Sequence, residues 1–294
     1  MSSIPNSQIK KDVLVRTLDC EKVVEATSRL CREANYVLEP DVVAALEGAR
    51  QEEVSPTGKD VLGQLLENAR IAVREEIPLC QDTGIAVVFV EVGQDLRIVG
   101  GSLEEAVVRG VREGYEQGYL RKSVVADPLN RVNTGDNSPP VIHWRLVPGD
   151  RLKISVMPKG AGSENMSALK MLKPAEGLDG VKRFILETVS SAGPNPCPPL
   201  VVGVGLGGTM EKAALLAKEA LLRPLGTRNP VAELAELEEN LRVFLNELGI
   251  GPMGLGGRVT VLAVHLSTYP THIAMLPVAV NLNCHAVRHK TAVL

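Results

Sequence analysis

The segment GIAVVFVEV (residues 84–92) is a nearly continuous run of β-branched and apolar residues that begins at a glycine. Runs of this kind are typical of strands that are buried on both faces. The residues that precede it follow a different, helical pattern. The segment therefore marks the point along the chain where a helical region ends and a sheet begins.

Upstream of this run, apolar residues recur at steps of three and four from about Asp19 to Glu76, which is the pattern of amphipathic helices. Ser55 and Pro56 form a favourable start for the third of these helices, because proline is tolerated in a first helical turn. We therefore predict an N-terminal helical region over residues 1–76 and a mixed α/β region over residues 77–294.

Downstream, further strand-like runs are found at 141–147, 152–158, 199–205, 259–266 and 277–283. Helices are predicted between several of them, at 102–120, 174–192, 209–222 and 230–248. Ser102 and Glu105 form a capping box at the start of the first. The pattern predicts a hairpin over 141–158 and two strands joined by a short loop over 259–283. Because strands and helices do not alternate strictly, we predict an α+β fold with a mixed sheet.

Composition and charge exclude several classes of function. The chain has 32 Lys and Arg against 35 Asp and Glu, and only one Trp, four Tyr and three Phe, so nucleic-acid binding is disfavoured. The first residues contain no apolar core of a signal peptide, and no run of about 18 apolar residues could span a membrane. We expect a cytoplasmic protein with neither nucleic acid nor membrane as a partner.

Three of the five cysteines lie at junctions between predicted elements. Cys80, in IPLCQDTG, lies between a helix and the buried strand; Cys197, in GPNPCPP, lies in a rigid segment; and Cys284, in NLNCHAVRH, follows an apolar strand. Cys20 and Cys31 fall in the helical region and are interpreted as structural. The odd count and wide spacing argue against a secreted disulfide framework.

A single cysteine is most often a small buried hydrophobe, but three at such junctions suggest a metal centre. Thiolates suit either zinc or an iron–sulfur cluster. Zinc modules usually contain a close Cys-x2-Cys pair, and none exists here. A cluster held by three thiolates leaves one iron open for Lewis-acid chemistry. On chemistry alone, three cysteines fit a redox switch equally well.

Other motifs allow two interpretations each. GDNSPP (135–140) and MPKGAGSENMSALK (157–170) are either ligand-binding loops or solvated turns. GVGLGG (203–208) has the spelling of a dinucleotide-binding turn, but no second parallel strand ending in an acidic residue follows it. We interpret it as a tight connection from strand to helix near the site. His272 lies in the proline-bounded segment TYPTHIAMLP (268–277).

IPLCQDTG, NTGDNSPP, PKGAGSEN, GPNPCPP, VGVGLGGT and TYPTHIAMLPVAVNLNCHAVRH occur in one order. In these motifs, over essentially its whole length, the chain resembles the N-terminal half of class I fumarases and the related tartrate dehydratases. The resemblance implies that Cys80, Cys197 and Cys284 bind one 4Fe-4S cluster. It also implies that the fourth iron of the cluster binds the hydroxyl group and one carboxylate of a small dicarboxylate.

The resemblance also implies roles for other side chains. Asp82 and His272 are the expected catalytic residues, with His272 at the edge of the site as a polar contact or proton relay. Gln81 is expected to contact the substrate, Arg121 to pair with a substrate carboxylate, and Gly162 to offer backbone close to the substrate.

The activity implied is the reversible hydration of fumarate to (S)-malate. In single-chain relatives a further domain carries a threonine base and additional cations, whereas this sequence ends at Leu294, ten residues past Cys284. We therefore expect a separate beta subunit and a hetero-oligomer. The alternatives are the alpha subunit of an L(+)-tartrate dehydratase and, from a different class, a non-catalytic iron–sulfur sensor.

Overall fold

The computed structural model describes residues 15–294, in which eight helices and ten strands follow one another without strict alternation. Helices dominate the N-terminal part and two four-stranded mixed sheets the remainder, so the predicted α+β class is confirmed. The expectation that the first residues contain no signal peptide lies outside the described residues.

The helices are α1 (Cys20–Tyr36), α2 (Pro40–Glu52), α3 (Pro56–Glu75), α4 (Leu103–Gln117), the single turn α5 (Ala161–Glu164), α6 (Gly177–Ala192), α7 (Met210–Ala220) and α8 (Ala232–Asn246). The strands are β1 (Arg16–Asp19), β2 (Ile85–Gly93), β3 (Leu96–Val99), β4 (Val141–Val147), β5 (Leu152–Lys159), β6 (Ala168–Leu172), β7 (Leu200–Gly207), β8 (Val261–Tyr269), β9 (Leu276–Asn283) and β10 (Lys290–Val293). The predicted start of α4 is confirmed, because the Oγ of Ser102 accepts from the backbone N–H of Glu105 at 3.4 Å.

The two four-stranded sheets have the orders β10-β5-β2-β4 and β6-β9-β7-β8, and β1 pairs with β3 in a small separate ribbon. The two large sheets repeat one arrangement. In each, an inner strand, β2 or β7, pairs in parallel with the next long strand and antiparallel with the one after it. The parallel pairs are joined through helices, as parallel connections require.

The hairpin predicted for residues 141–158 is wrong. β4 and β5 do not pair with each other, because β2 lies between them and pairs with both. The physical reason is the apolar character of β2, whose residues 86–90 are all buried and which therefore occupies an inner position. The segment 259–283 follows the same rule, since β7 lies between β8 and β9.

The N-terminal helices pack against the sheets and hold them together. Buried residues of α1 and α4 form one core with the inner residues of β2 and β5, among them Leu30, Val111 and Val88. Residues of α2 and α3 form a second core that contacts both sheets, through Phe89 of β2 and Val201 of β7. This second core fixes the position of one sheet relative to the other. Within residues 15–294, the helices are all too short or too polar to cross a bilayer.

The glycines of GVGLGG allow α7 to pack directly across β7. A Cβ atom at Gly205 would lie 2.0 Å from the carbonyl oxygen of Ala213, and one at Gly203 would lie 2.1 Å from that of Ala217. The motif therefore serves close packing of a helix on a strand, which is one of the roles that glycine has in such connections.

We expect Gly205→Ala to lower the free energy of unfolding by about 2–3 kcal/mol, because the added methyl group has no space against the α7 backbone. Gly48→Ala is the matched control. A Cβ atom at this position in α2 would have no atom within 4 Å, so we expect an increase of up to about 1 kcal/mol. Denaturant unfolding measures both values, and a Gly205→Ala chain as stable as the wild type would contradict the packing argument.

Candidate functional site

Two of the three predicted ligand cysteines meet at one end of the second sheet. Cys197 lies just before β7 and Cys284 just after β9, and the antiparallel register pairs Val201 with Asn283. Cys80 lies in the loop that precedes β2. Burial raises the pKa of the Cys197 thiol, and the nearby thiols of Cys284 and Cys80 raise it further. Three thiols from three loops, none of them in a disulfide, therefore lie near enough to influence one another.

The loops that carry Cys197 and Cys284 are joined by His285. The carbonyl oxygen of Cys197 accepts from the backbone N–H of His285 at 3.4 Å and lies 3.1 Å from its Nδ1. Cys197 itself has a φ of 56°, which is uncommon for a residue other than glycine. These contacts therefore hold the backbone of the Cys197 loop against the segment that follows Cys284.

The donor set fits a cluster better than a single metal ion. Between residues 15 and 294, no three His, Cys, Asp or Glu side chains lie close enough together to bind one ion. Four-coordinate zinc with bonds of about 2.3 Å requires its sulfur ligands roughly 3.8 Å apart. In an iron–sulfur cluster each cysteine binds its own iron, so the thiols lie farther from one another. Three free thiols on three separate loops are the donor set that such a cluster takes.

Cys20 and Cys31 take no part in this site. Cys20 begins α1, Cys31 lies within the same helix, and both are buried in the core between α1 and α4. Burial raises the pKa of the Cys31 thiol to about 12, so this side chain stays neutral. The interpretation of both residues as structural is confirmed.

Asp82 joins the loop of Cys80 to the start of α5. Its Oδ2 accepts from the backbone N–H of Ala161 at 2.8 Å, and its Oδ1 accepts from that of Gly84 at 3.0 Å. The guanidinium of Arg288 donates to the carbonyl oxygen of Asp82 at 2.7 Å. The motifs IPLCQDTG and PKGAGSEN are therefore in direct contact.

GDNSPP lies against the same loop, so its interpretation as a solvated turn is wrong for the buried Asn137. The Nδ2 of Asn137 donates to the carbonyl oxygen of Gly84 at 3.1 Å, while its Oδ1 accepts from the backbone N–H of Ser123 at 2.6 Å. The hydroxyl of Tyr115 donates to the carbonyl oxygen of Thr83 at 2.8 Å. Both carbonyl groups are thereby satisfied away from water.

A buried lysine lies at the end of β5. The Nζ of Lys159 donates to the Oγ of Ser163 at 2.7 Å and lies 3.2 Å from the Oε2 of Glu164. Glu164 also pairs with Lys218 and accepts from the Nδ2 of Asn281 at 3.0 Å. Burial lowers the pKa of Lys159 to about 8, against the opposing effect of Glu164.

Three of the predicted substrate contacts lie around these loops. Gln81 is exposed and adjacent in sequence to Cys80. The carbonyl oxygen of Arg121 accepts from the Oγ1 of Thr83 at 3.0 Å, and the exposed guanidinium of Arg121 forms no ion pair within residues 15–294. A Cβ atom at Gly162 would lie 3.2 Å from the carbonyl oxygen of Asn195, in the Cys197 loop.

The structure does not bring His272 near the cysteines of the same chain. His272 precedes β9 and Cys284 follows it, so the length of an eight-residue strand, roughly 25 Å, separates them. The exposed ring accepts from the backbone N–H of Ala274 at 3.2 Å through Nδ1. The turn at 207–209 lies at the same far end, so the interpretation of GVGLGG as a connection near the site is wrong.

Two buried residues that no sequence pattern had singled out, Arg288 and Tyr115, also hold the loops of the site in place. Arg288 lies four residues after Cys284 and is buried, and its bonds to Asp82 and Asn35 link two loops to α1. An arginine in a turn next to a candidate ligand was the available signal. Tyr115 lies on the buried face of α4, where periodicity indicates only a core residue. Nothing in the sequence identifies the partner of its hydroxyl.

Comparison with known proteins relates nearly the whole chain to one family. The family model described as fumarate hydratase (Fumerase) matches residues 24–293. A Methanocaldococcus jannaschii protein named putative L(+)-tartrate dehydratase subunit alpha is 44% identical over 273 residues, which cover 91% of this chain and 95% of that protein. The L(+)-tartrate dehydratase subunit alpha of Escherichia coli K12 is 35% identical over 274 residues, covering 92% and 90%.

Proposed function

This chain belongs to the fumarate hydratase (Fumerase) family, and from this premise we propose that it is the cluster-binding alpha subunit of a two-subunit L(+)-tartrate dehydratase. The observation that carries the proposal is the convergence of three free thiols, on Cys80, Cys197 and Cys284, from separate loops. The names of the relatives favour tartrate over our first expectation of fumarate. Hydration of fumarate remains the second candidate, supported by the description of the family.

In this proposal Cys80, Cys197 and Cys284 hold a 4Fe-4S cluster. When bound, the cluster supplies a Lewis-acidic iron that favours the departure of a substrate hydroxyl group. The thiols must lose their protons to act as ligands. Because the pKa of Cys197 is raised by burial and by the other two thiols, assembly of the cluster is favoured by alkaline pH.

The side chains around the thiols suit a hydroxylated dicarboxylate. The exposed guanidinium of Arg121 is available to pair with a substrate carboxylate through two parallel hydrogen bonds. The exposed amide of Gln81 is available to the hydroxyl groups, of which tartrate has one more than malate. A site that hydrogen-bonds a substrate hydroxyl discriminates strongly against an analogue that lacks it. Gln81 is therefore our candidate for the contact to a substrate hydroxyl group.

Removal of a proton from carbon requires a base, and we assign it to a partner subunit. Both carboxylate oxygens of Asp82 already accept backbone N–H groups, so this side chain is occupied in holding the loops of Cys80 and Ala161 together. His272 lies at the other end of the sheet from Cys284. The relatives are named alpha subunits, which supports a beta subunit that completes the site in a hetero-oligomer.

Anaerobic reconstitution tests this function. We expect the purified chain to incorporate iron and sulfide but to dehydrate neither L(+)-tartrate nor (S)-malate. Addition of the beta subunit should give turnover, with kcat/KM for tartrate at least about tenfold above that for malate, the preference expected from one discriminating polar contact.

Each alternative result identifies another function. Full turnover by the chain alone would refute a site shared between subunits, and a preference for malate would favour fumarate hydration. A complex that contains the cluster but converts none of the substrates would favour the non-catalytic sensor.

A further inference from the structure

Lys159 of β5, Glu164 of α5 and Lys218 of α7 form a charge network, hereafter the Lys-Glu-Lys network. Two ammonium groups share one carboxylate, since Lys159 lies 3.2 Å from Glu164 and Lys218 forms a second ion pair with it. Within residues 15–294 neither lysine has another carboxylate within 4.0 Å. The network therefore carries one uncompensated positive charge at neutral pH.

This charge lies where water cannot compensate it. The side chain of Lys159 is 0% exposed and that of Lys218 is 17% exposed. An ammonium group has three N–H donors, and those of Lys159 have two acceptors, Ser163 and Glu164, within the described residues. Burial of a charge without a counter-ion is costly, so the fold gains stability if an anion lies nearby.

The group that can supply this anion is the thiolate of Cys284, one of the proposed cluster ligands. After Glu164, the charge of Cys284 is the strongest influence that raises the pKa of Lys159. A hydrogen bond also connects the network to the segment of Cys284. The Nδ2 of Asn281, three residues before Cys284, donates to Glu164 at 3.0 Å. The backbone N–H of Leu282 donates to the Oγ of Ser167 at 3.0 Å, which connects the residues between α5 and β6 to the end of β9.

We propose that Lys159 is a positioning residue whose buried positive charge compensates the thiolates of the iron–sulfur centre, and that Glu164 sets the size of this compensation. This inference rests on the proposed function, because it requires the cluster. Net charge around a cluster determines its reduction potential. A positive charge stabilises the reduced, more negative form, so Lys159 should raise the potential and Glu164 should lower it.

Two charge-neutralising variants test the sign of the effect in the reconstituted complex. Lys159→Met removes a positive charge and should shift the reduction potential of the cluster to lower values. Glu164→Gln removes a negative charge with little change of shape and should shift the potential to higher values, provided that the titration is made at a pH well below the pKa of Lys159, because loss of Glu164 lowers that pKa further. Potentiometric titration followed by electron paramagnetic resonance measures both shifts independently of turnover.

Lys153→Met is the matched control, because Lys153 lies on the same strand and pairs with Glu91 at the surface, at 3.0 Å. Its charge is screened by solvent, so the potential should not change. If Lys159→Met fails to fold, Glu164→Gln still decides the sign. Unshifted potentials, or shifts of one sign in both variants, would overturn the inference alone. A wild-type complex without iron would overturn the proposed function, and this inference with it.

Discussion

Replacement of Cys197 by serine is expected to abolish the visible absorption of the iron–sulfur centre and to lower turnover at least about 1,000-fold, or about 4 kcal/mol in activation free energy. Serine has nearly the same shape, but its hydroxyl is not a thiolate and is a poor ligand for the iron of a cluster. The left-handed backbone at position 197 and the bonds to His285 remain, so the loop itself should persist.

Cys31→Ala is the control for this loss. It removes a thiol that is completely buried between α1 and α4, away from the three ligand loops. We expect normal iron content, turnover within a few-fold of the wild type, and a loss of stability of about 1 kcal/mol from the small cavity. Iron and sulfide analysis of both variants checks the assignment. A Cys197→Ser complex with full iron content would exclude Cys197 as a ligand.

Asp82→Asn should lower kcat at least about 100-fold, equivalent to roughly 2.7 kcal/mol, and leave the absorption of the cluster unchanged. The amide that replaces the carboxylate has one oxygen and one NH2 group. It can therefore accept from only one of the two N–H groups, those of Gly84 and Ala161, that Asp82 binds. Loss of a charge-assisted bond costs about 1.5–3 kcal/mol, and the loop that carries Gly162 loses its attachment to the Cys80 loop.

Asp95→Asn is the matched substitution, since Asp95 is exposed in the turn between β2 and β3. It should leave both kcat and the cluster spectrum unchanged. If Asp82→Asn instead loses iron, the residue maintains the ligand loops rather than the substrate loop. An unchanged kcat would show that Asp82 has neither role.

Local patterns predicted the elements around the site well. The buried run at 84–92 is the inner strand β2, the helices are found close to their predicted positions, and Ser102 caps α4. Each of these depends on neighbours within a few residues in sequence, such as periodicity, caps and turn residues. The short strands β1, β3, β6 and β10 escaped prediction because too few residues carry a pattern.

Strand pairing and the position of His272 could not be predicted in this way. Sequence proximity favoured a β4–β5 hairpin and placed His272 near Cys284, twelve residues away. In the fold β2 separates the two strands, and the whole of β9 separates the histidine from the cysteine.

The residue types and their local order were enough to predict the α+β class, the buried strand and the three cysteines at element junctions. The meeting of those cysteines, the contact of Asp82 with Ala161 and the burial of Lys159 beside Glu164 depend on tertiary structure. The reason is physical. Backbone hydrogen bonds between strands are the same for nearly every residue type, so the choice of partner strands is made by burial summed over the whole chain.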